Sequence, residues 1–136
     1  MRPINYDDLS SRAKENYNFS KVASRLADYG YNCLRLSDDW LGADFVAVHI
    51  DGHYRKIQLK SRLHFSKRYQ GKNIWIAFRN GNEVYVYHHD RLLERFLAAG
   101  AINTERRSWR DLGYWNWRII PKRYMYLLNR SRVPSV

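Results

Sequence analysis

Two neighbouring apolar runs of the sequence carry polar residues where a buried strand would favour apolar ones. Asp44 precedes the run FVAVHI, and Gln58 and Lys60 interrupt the run IQLK. Because side chains alternate along a strand, Gln58 and Lys60 share one face, and Ile57 and Leu59 share the other. An amide oxygen and an ammonium therefore face one opening, where they can act together on a charged ligand.

The short turn DGH between the two runs predicts a β-hairpin that brings Asp44 into this group. If Ile50 pairs with Tyr54, Asp44 lies directly opposite Lys60, and directly opposed residues lie on the same face. A carboxylate then joins the amide and the ammonium. A slip of one residue in the register would separate the three groups.

Glu15 is a further candidate, on a predicted helix that covers residues 6–29. It lies four residues before Phe19 and seven before Val22, a spacing that puts its carboxylate on the apolar stripe of the helix. A buried carboxylate needs a partner such as a metal ion or a lysine. Alternatively, Glu15 lies at the edge of the stripe, in water. The sequence leaves both interpretations open.

The charge of the chain indicates a polyanionic partner. The net charge is +11 and the pI is about 10.0, with the excess concentrated in residues 51–80 and 101–136. Lys and Arg gain affinity for nucleic acids by displacing counterions from phosphates. The alternative is a basic surface with no such partner. Seven residues form the two predicted nucleic-acid-binding clusters: Arg62, Lys67, Arg68 and Lys72, followed by Arg106, Arg107 and Arg110.

Composition narrows the class of protein. The length of 136 residues suggests one domain, 1–136, with a basic aromatic segment from about residue 101. No apolar run reaches the length of a membrane span, and the first residues lack a signal-peptide pattern. Cys33 is the only cysteine, which suggests a reducing, cytoplasmic location. His49 and His53 are separated by a strand and a turn, so the spacing of helical zinc ligands does not apply.

Periodicity and turn residues predict a helix, a run of strands and a second helix, hence a mixed α/β domain. Predicted strands cover 31–37, 44–50, 54–61, 73–79 and 83–89, with a helix at 90–100 that begins at Asp90 and stops at Gly100. The segment 38–43 is predicted to be a turn. The C-terminal segment, with a predicted strand or two and a final helix, either completes the core or packs against a sister subunit.

The order of Glu15 on a helix, Asp44 on a strand, and Gln58-Leu59-Lys60 after a hairpin resembles the PD-(D/E)XK nuclease superfamily, across about residues 10–90. The resemblance implies a restriction-endonuclease-like fold, a mixed sheet flanked by helices. It implies a metal-dependent DNA endonuclease, of restriction or homing type, that acts on duplex DNA as a homodimer or homotetramer.

The resemblance also implies roles for the site residues. Asp44, the Gln58 amide and the Leu59 carbonyl would bind Mg²⁺, for which Mn²⁺ would substitute, and Lys60 would orient the attacking water. Two departures concern the motif: Ala43 stands where the family has proline, and Gln58 replaces an acid. Glu15 would restore the lost charge if it reaches the site. A Holliday-junction resolvase and a non-catalytic nucleic-acid-binding module are the alternatives, and an RNA nuclease remains open.

Overall fold

A six-stranded mixed sheet carries the two apolar runs on adjacent strands. The computed structural model describes all residues from 1 to 136. The sheet has the order β1-β2-β3-β5-β6-β8, and β3 pairs with β5 in parallel while the other pairs are antiparallel. Its strands are β1 (Tyr31–Trp40), β2 (Ala43–His49), β3 (Tyr54–Leu59), β5 (Trp75–Asn80), β6 (Glu83–His88) and β8 (Arg132–Val133).

Helices and a small second sheet accompany this central sheet. The helices are α1 (Ser11–Ala27), α2 (His89–Ala98) and α3 (Arg107–Arg110). A two-stranded sheet pairs β4 (His64–Ser66) with β7 (Tyr114–Asn116). Short 3-10 segments cover Tyr6–Asp8, Lys67–Tyr69 and Lys122–Ser131. The predicted mixed α/β architecture, a mixed sheet flanked by helices, is confirmed. No helix combines the length and apolar character that crossing a membrane requires.

Both faces of the central sheet are buried at β5, whose consecutive residues Ile76 and Ala77 lie in different apolar clusters. Val22 and Leu26 of α1 pack with Phe45 and Ile57 in the smaller of two apolar clusters. The larger cluster lies against Ile76 and its neighbours and includes residues of β4, α2 and the C-terminal segment. The site residues on β2 and β3 are therefore carried by strands whose opposite face, with Phe45 and Ile57, packs in the smaller cluster.

Helix α1 is shorter than the predicted helix of residues 6–29 because its start is capped at Ser10. The Ser10 hydroxyl accepts a hydrogen bond from the Ala13 amide at 3.2 Å. The predicted apolar stripe is confirmed, since Val22 and Leu26 are buried in the core and Phe19 packs against it. Gly30 has φ +86°, a left-handed backbone that glycine adopts without strain, and the helix ends before it as predicted.

The predicted register of the β2–β3 hairpin is wrong by two residues. Val48, rather than Ile50, pairs with Tyr54. The Ile50 amide donates instead to the Gly30 carbonyl at 3.0 Å, and the His49 amide donates to the His53 carbonyl at 2.8 Å. These bonds define a turn longer than three residues. A shift of two residues leaves every side chain on its original face, so the predicted co-facing of the polar residues is unaffected.

Two further predictions fail at element ends. The predicted turn at 38–43 is mostly strand, because β1 runs to Trp40 and pairs there with Ala43. Helix α2 is capped by His88, whose ring accepts a hydrogen bond from the Arg91 amide, rather than by Asp90. Asp90 lies in the first turn and accepts a bond from the Gly71 amide at 2.8 Å.

The C-terminal segment completes the core of its own chain. Leu127 and Leu128 are buried in the larger cluster, and Trp117 and Tyr124 pack against it. The predicted final helix is a 3-10 segment, Lys122–Ser131, that contacts β6 and α2. This segment is therefore partly buried within its own chain, whereas Ile119 and Tyr126 are exposed.

Candidate active site

The predicted site residues line one cleft at the ends of β2 and β3, beside the start of α1. The cleft has a volume of about 330 Å³. Its walls are formed by the N-terminal residues Tyr6, Ser11, Lys14, Glu15 and Asn18 and by the strand-end residues Asp44, Gln58, Leu59, Lys60 and Ser61. All four residues predicted to be catalytic, Glu15, Asp44, Gln58 and Lys60, therefore share this cleft.

The hairpin register explains how Asp44 and Gln58 meet. Phe45 pairs with Ile57, and continuing this register by one residue places Asp44 across from Gln58. Ile57 and Leu59 pack with the smaller cluster, whereas Gln58 is aligned with Ile76 of the larger one. Gln58 and Lys60 both line the cleft, whereas Ile57 and Leu59 pack with the smaller cluster, as the predicted alternation requires.

Asp44 is a half-buried carboxylate with little to stabilise its charge. Both of its oxygens lie 3.2 Å from the Leu59 amide, which donates to them. Burial raises the pKa of Asp44 to about 6, and the nearby Glu15 carboxylate raises it further, against the opposing effects of the Leu59 amide and Arg35. Because burial is the first cause, a cation bound beside Asp44 would stabilise its charged form.

Glu15 is exposed but lines the same cleft. Its carboxylate lies 3.6 Å from Arg35 Nη2, and Arg35 Nη1 donates to the Asn16 side chain at 2.6 Å. Of the two sequence interpretations, the position in water at the edge of the stripe is the one observed, although Glu15 is still close enough to raise the pKa of Asp44. Its Arg35 partner lies on β1, the strand next to β2.

Gln58 and Lys60 present free polar groups to the cleft. The Gln58 amide and Lys60 Nζ form no hydrogen bond within the chain, while the Lys60 backbone amide donates to the Ala77 carbonyl at 2.8 Å. Lys60 Nζ lies 5.5 Å from the centre of the Tyr69 ring. Burial lowers the pKa of His64 to about 4, and the positive charge of Lys60 is the next cause. His64 is therefore neutral at neutral pH beside a charged lysine.

The donor atoms fit an oxygen-ligated divalent cation. Mg²⁺ binds few protein oxygens and keeps several waters. A carboxylate from Asp44, the free amide oxygen of Gln58 and the Leu59 carbonyl are such donors, and Glu15 adds a second negative charge at the cleft wall. A cation bound to Asp44 would lower the pKa that burial has raised.

A second and larger cleft adjoins the first at Gln58. Its volume is about 660 Å³. Arg68 and Lys72, two of the predicted nucleic-acid-binding residues, line it together with Gln58 and Tyr69. Arg68 is held over the Tyr69 ring at 4.9 Å and donates to its hydroxyl at 2.9 Å. Positive charge is thus positioned beside the candidate site.

The two predicted basic clusters are joined through Lys67. Its Nζ lies 3.5 Å from the Arg110 carbonyl and 5.2 Å from the Trp109 ring centre, and Trp109 is buried. Arg110 pairs with Asp111, and Arg106 lies 6.0 Å from the Trp115 ring centre. Arg62 and Arg107 are exposed. The clusters are therefore contiguous at Lys67.

Several residues of the cleft were missed in the sequence, chiefly Asn18 of α1. Asn18 is buried, donates to the Tyr6 hydroxyl at 2.9 Å and accepts from Arg79 Nε at 2.9 Å. The available signal was its position between Glu15 and Val22 on the apolar stripe, where a polar residue needs a partner.

Comparisons with known proteins add one structural likeness. No family model and no curated protein matches the sequence. Among solved structures, a bacterial homing endonuclease, I-Ssp6803I, is similar, with a TM-score of 0.49 and 14% sequence identity over 90% of this chain and 94% of that chain. This likeness does not by itself assign a function, which depends on the chemistry of the cleft.

Proposed function

We propose that this chain is a metal-dependent endonuclease that hydrolyses phosphodiester bonds in duplex DNA. The observation that supports the proposal is the convergence of Asp44, Gln58, Lys60 and Glu15 on one cleft, in which the pKa of Asp44 is raised to about 6. This set resembles that of PD-(D/E)XK nucleases. Paired carboxylates, an amide oxygen and an ammonium are the groups that phosphodiester hydrolysis requires at one point.

Each residue has a distinct part in the proposed reaction. Asp44, the Gln58 amide oxygen and the Leu59 carbonyl would hold Mg²⁺ or Mn²⁺, and Glu15 adds charge at the wall of the cleft. Such an ion would supply positive charge for the phosphate and would lower the pKa of a water molecule. Lys60 orients the attacking water and stabilises the negative charge that develops on the phosphate oxygens.

The substrate is proposed to be DNA because positive charge surrounds the cleft. Arg68 and Lys72 line the adjoining cleft, and the chain carries a net charge of +11. We propose a site-specific enzyme of homing or restriction type, because Asp44 and Gln58-Leu59-Lys60 resemble the motif of the PD-(D/E)XK superfamily. Cutting both strands is easiest with two active sites, which favours a homodimer or homotetramer as the active form, and light scattering of the DNA complex gives its subunit number.

The test is cleavage of long genomic DNA and of a synthetic four-way junction in Mg²⁺, Mn²⁺ or EDTA. Wild-type protein should produce discrete, metal-dependent fragments. Lys60→Ala should lower the rate by about 10²- to 10³-fold, the usual effect of removing a group that stabilises transition-state charge. Asp44→Asn should abolish metal-dependent cleavage, and Glu15→Gln should raise the metal concentration required.

Lys56→Ala is the matched control, because Lys56 lies on the same strand and the same face, two positions before Gln58. Its Nζ donates to the Lys72 carbonyl, outside the cleft of Asp44. Wild-type rates for Lys60→Ala, or equal losses for both lysine variants, would contradict the assignment. Cutting of the junction alone would indicate a resolvase, and salt-sensitive binding without any cutting would indicate a binding module.

A further inference from the structure

The tip of the β2–β3 hairpin gathers three potential metal ligands far from the candidate active site. One ligand atom each from His49, Asp51 and His53 lies within 4.8 Å of the others. His49 Nδ1 lies 3.1 Å from Asp51 Oδ1, and His53 Nδ1 contacts the same oxygen. Asp44 and His49 are at opposite ends of β2, about 17 Å apart at the rise of a strand.

Neighbouring groups hold the two imidazole rings in place. The rings of His49 and His53 stack with centres 4.7 Å apart, and the Tyr31 ring packs edge-on against both. The Tyr31 hydroxyl lies 3.0 Å from His53 Nε2, the nitrogen that does not face Asp51. A hydrogen bond at the outer nitrogen is what orients a metal-binding histidine and fixes its tautomer.

The backbone of the tip contributes to the same arrangement. Asp51 Oδ1 accepts a bond from the His53 amide at 2.9 Å, and the Asp51 amide donates to His49 Nδ1 at 3.2 Å, a bond that a metal ion at this nitrogen would replace. Gly30 leaves space for the His49 ring, since a Cβ at Gly30 would lie 3.1 Å from His49 Nε2. The folded backbone therefore holds the His49, Asp51 and His53 side chains close together.

We propose that His49 Nδ1, His53 Nδ1 and the Asp51 carboxylate bind one Zn²⁺ ion, with a fourth position left for water. Imidazole nitrogen and carboxylate oxygen bind zinc at about 2.0–2.2 Å in tetrahedral geometry, which separates the donors by about 3.4 Å. The observed 3.1 Å between His49 Nδ1 and Asp51 Oδ1 is close to this value. Zinc suits imidazole, whereas Mg²⁺ prefers oxygen alone, so excess Mg²⁺ should not compete with Zn²⁺ for this site.

The experiment uses the full chain without a histidine tag, stripped of metal with EDTA and dialysed. Zn²⁺ binding is measured by calorimetry, and Co²⁺ binding by visible absorption, which reports a tetrahedral site. In excess Mg²⁺, which occupies the oxygen-donor site at Asp44, wild-type protein should bind one Zn²⁺ or Co²⁺ ion per chain. His49→Gln and His53→Gln should lose this binding, and Tyr31→Phe, which keeps all three ligands, should weaken it by about 10-fold.

Two controls separate the site from other metal ligands. His88→Gln removes a histidine from β6, and Asp44→Asn alters the candidate active site; both should bind Zn²⁺ as the wild type does. Absence of binding to the wild type, or equal affinity in His53→Gln, would overturn the proposal. Since His53 is half exposed, its variant should fold, and circular dichroism checks this. The result is independent of whether the chain cleaves DNA.

Discussion

Burial in the folded chain makes the ionised form of Asp44 less favourable than it is in water. Its pKa in the folded chain is about 6, raised by burial above the ordinary value of 3.8. An acid with a raised pKa favours the fold while it is protonated. The contribution of Asp44 to stability is therefore fully present below about pH 4 and is lost as the pH rises through about 6.

Replacing Asp44 with asparagine should consequently help the fold more at high pH than at low pH. We expect the free energy of unfolding of Asp44→Asn, relative to wild type, to rise by about 1–2 kcal/mol between pH 4 and pH 8, after allowance for partial solvent screening. Urea unfolding of both proteins without divalent ions measures this difference. Asp38→Asn, at an exposed position of β1, is the control; a difference that does not change with pH would contradict the assigned pKa.

The residue types of the site were readable in the sequence, but their partners were not. Alternation alone placed Gln58 and Lys60 on one face, and this is confirmed. The contacts of Glu15 with Arg35, and of Asn18 with Tyr6 and Arg79, join residues distant in the chain. Such contacts depend on tertiary packing and leave no local pattern.

Among the elements, the C-terminal 3-10 segment can be tested for burial in the core of its own chain. Leu128 is fully buried in the larger cluster, whereas Tyr126 is 57% exposed. Leu128→Ala should lower the free energy of unfolding by about 2–5 kcal/mol because it leaves a cavity. Tyr126→Ala should change it by about 0.5 kcal/mol or less.

Denaturant unfolding over a range of protein concentrations measures the free energy of unfolding of both variants. If the destabilisation by Leu128→Ala does not depend on protein concentration, Leu128 belongs to the core of a single chain. If the destabilisation disappears on dilution, the segment contributes to a subunit interface instead.

The strands were largely predictable because apolar runs bounded by turn residues leave few alternative secondary structures. The residues at which strands and helices begin and end were not predictable in the same way. The hairpin register depends on the Ile50 amide bonding to Gly30, a residue before β1, and the α2 cap depends on the His88 ring reaching the Arg91 amide. Each error arose where a tertiary or side-chain hydrogen bond competed with the local turn pattern.

For the molecule as a whole, the positive charge predicts a salt-sensitive association with DNA. Arg68 and Lys72 line the cleft beside Gln58. Charge reversal at both, Arg68→Glu with Lys72→Glu, should weaken binding and reduce the slope of log affinity against log salt by about 2, because two phosphates are no longer neutralised by the protein. Fluorescence anisotropy in EDTA, over a series of salt concentrations, measures this without cleavage.

Lys122→Glu provides the comparison, because Lys122 is exposed at the start of the 3-10 segment that contacts β6 and α2. A single reversal there should leave the slope close to that of wild type. If the control and the double variant weaken binding alike, the association depends on net charge and not on the surface beside the cleft.

The position of β3 in the sheet has a consequence for amide hydrogen exchange. β3 is bonded to β2 on one side and β5 on the other, whereas β1 and β8 form the edges. Edge strands fray first, and a central strand exchanges its amide protons only when the sheet opens more widely. The strand that presents Gln58 and ends beside Lys60 is thus among the last to lose protection, so forms of the chain frayed at either edge retain the backbone of the cleft.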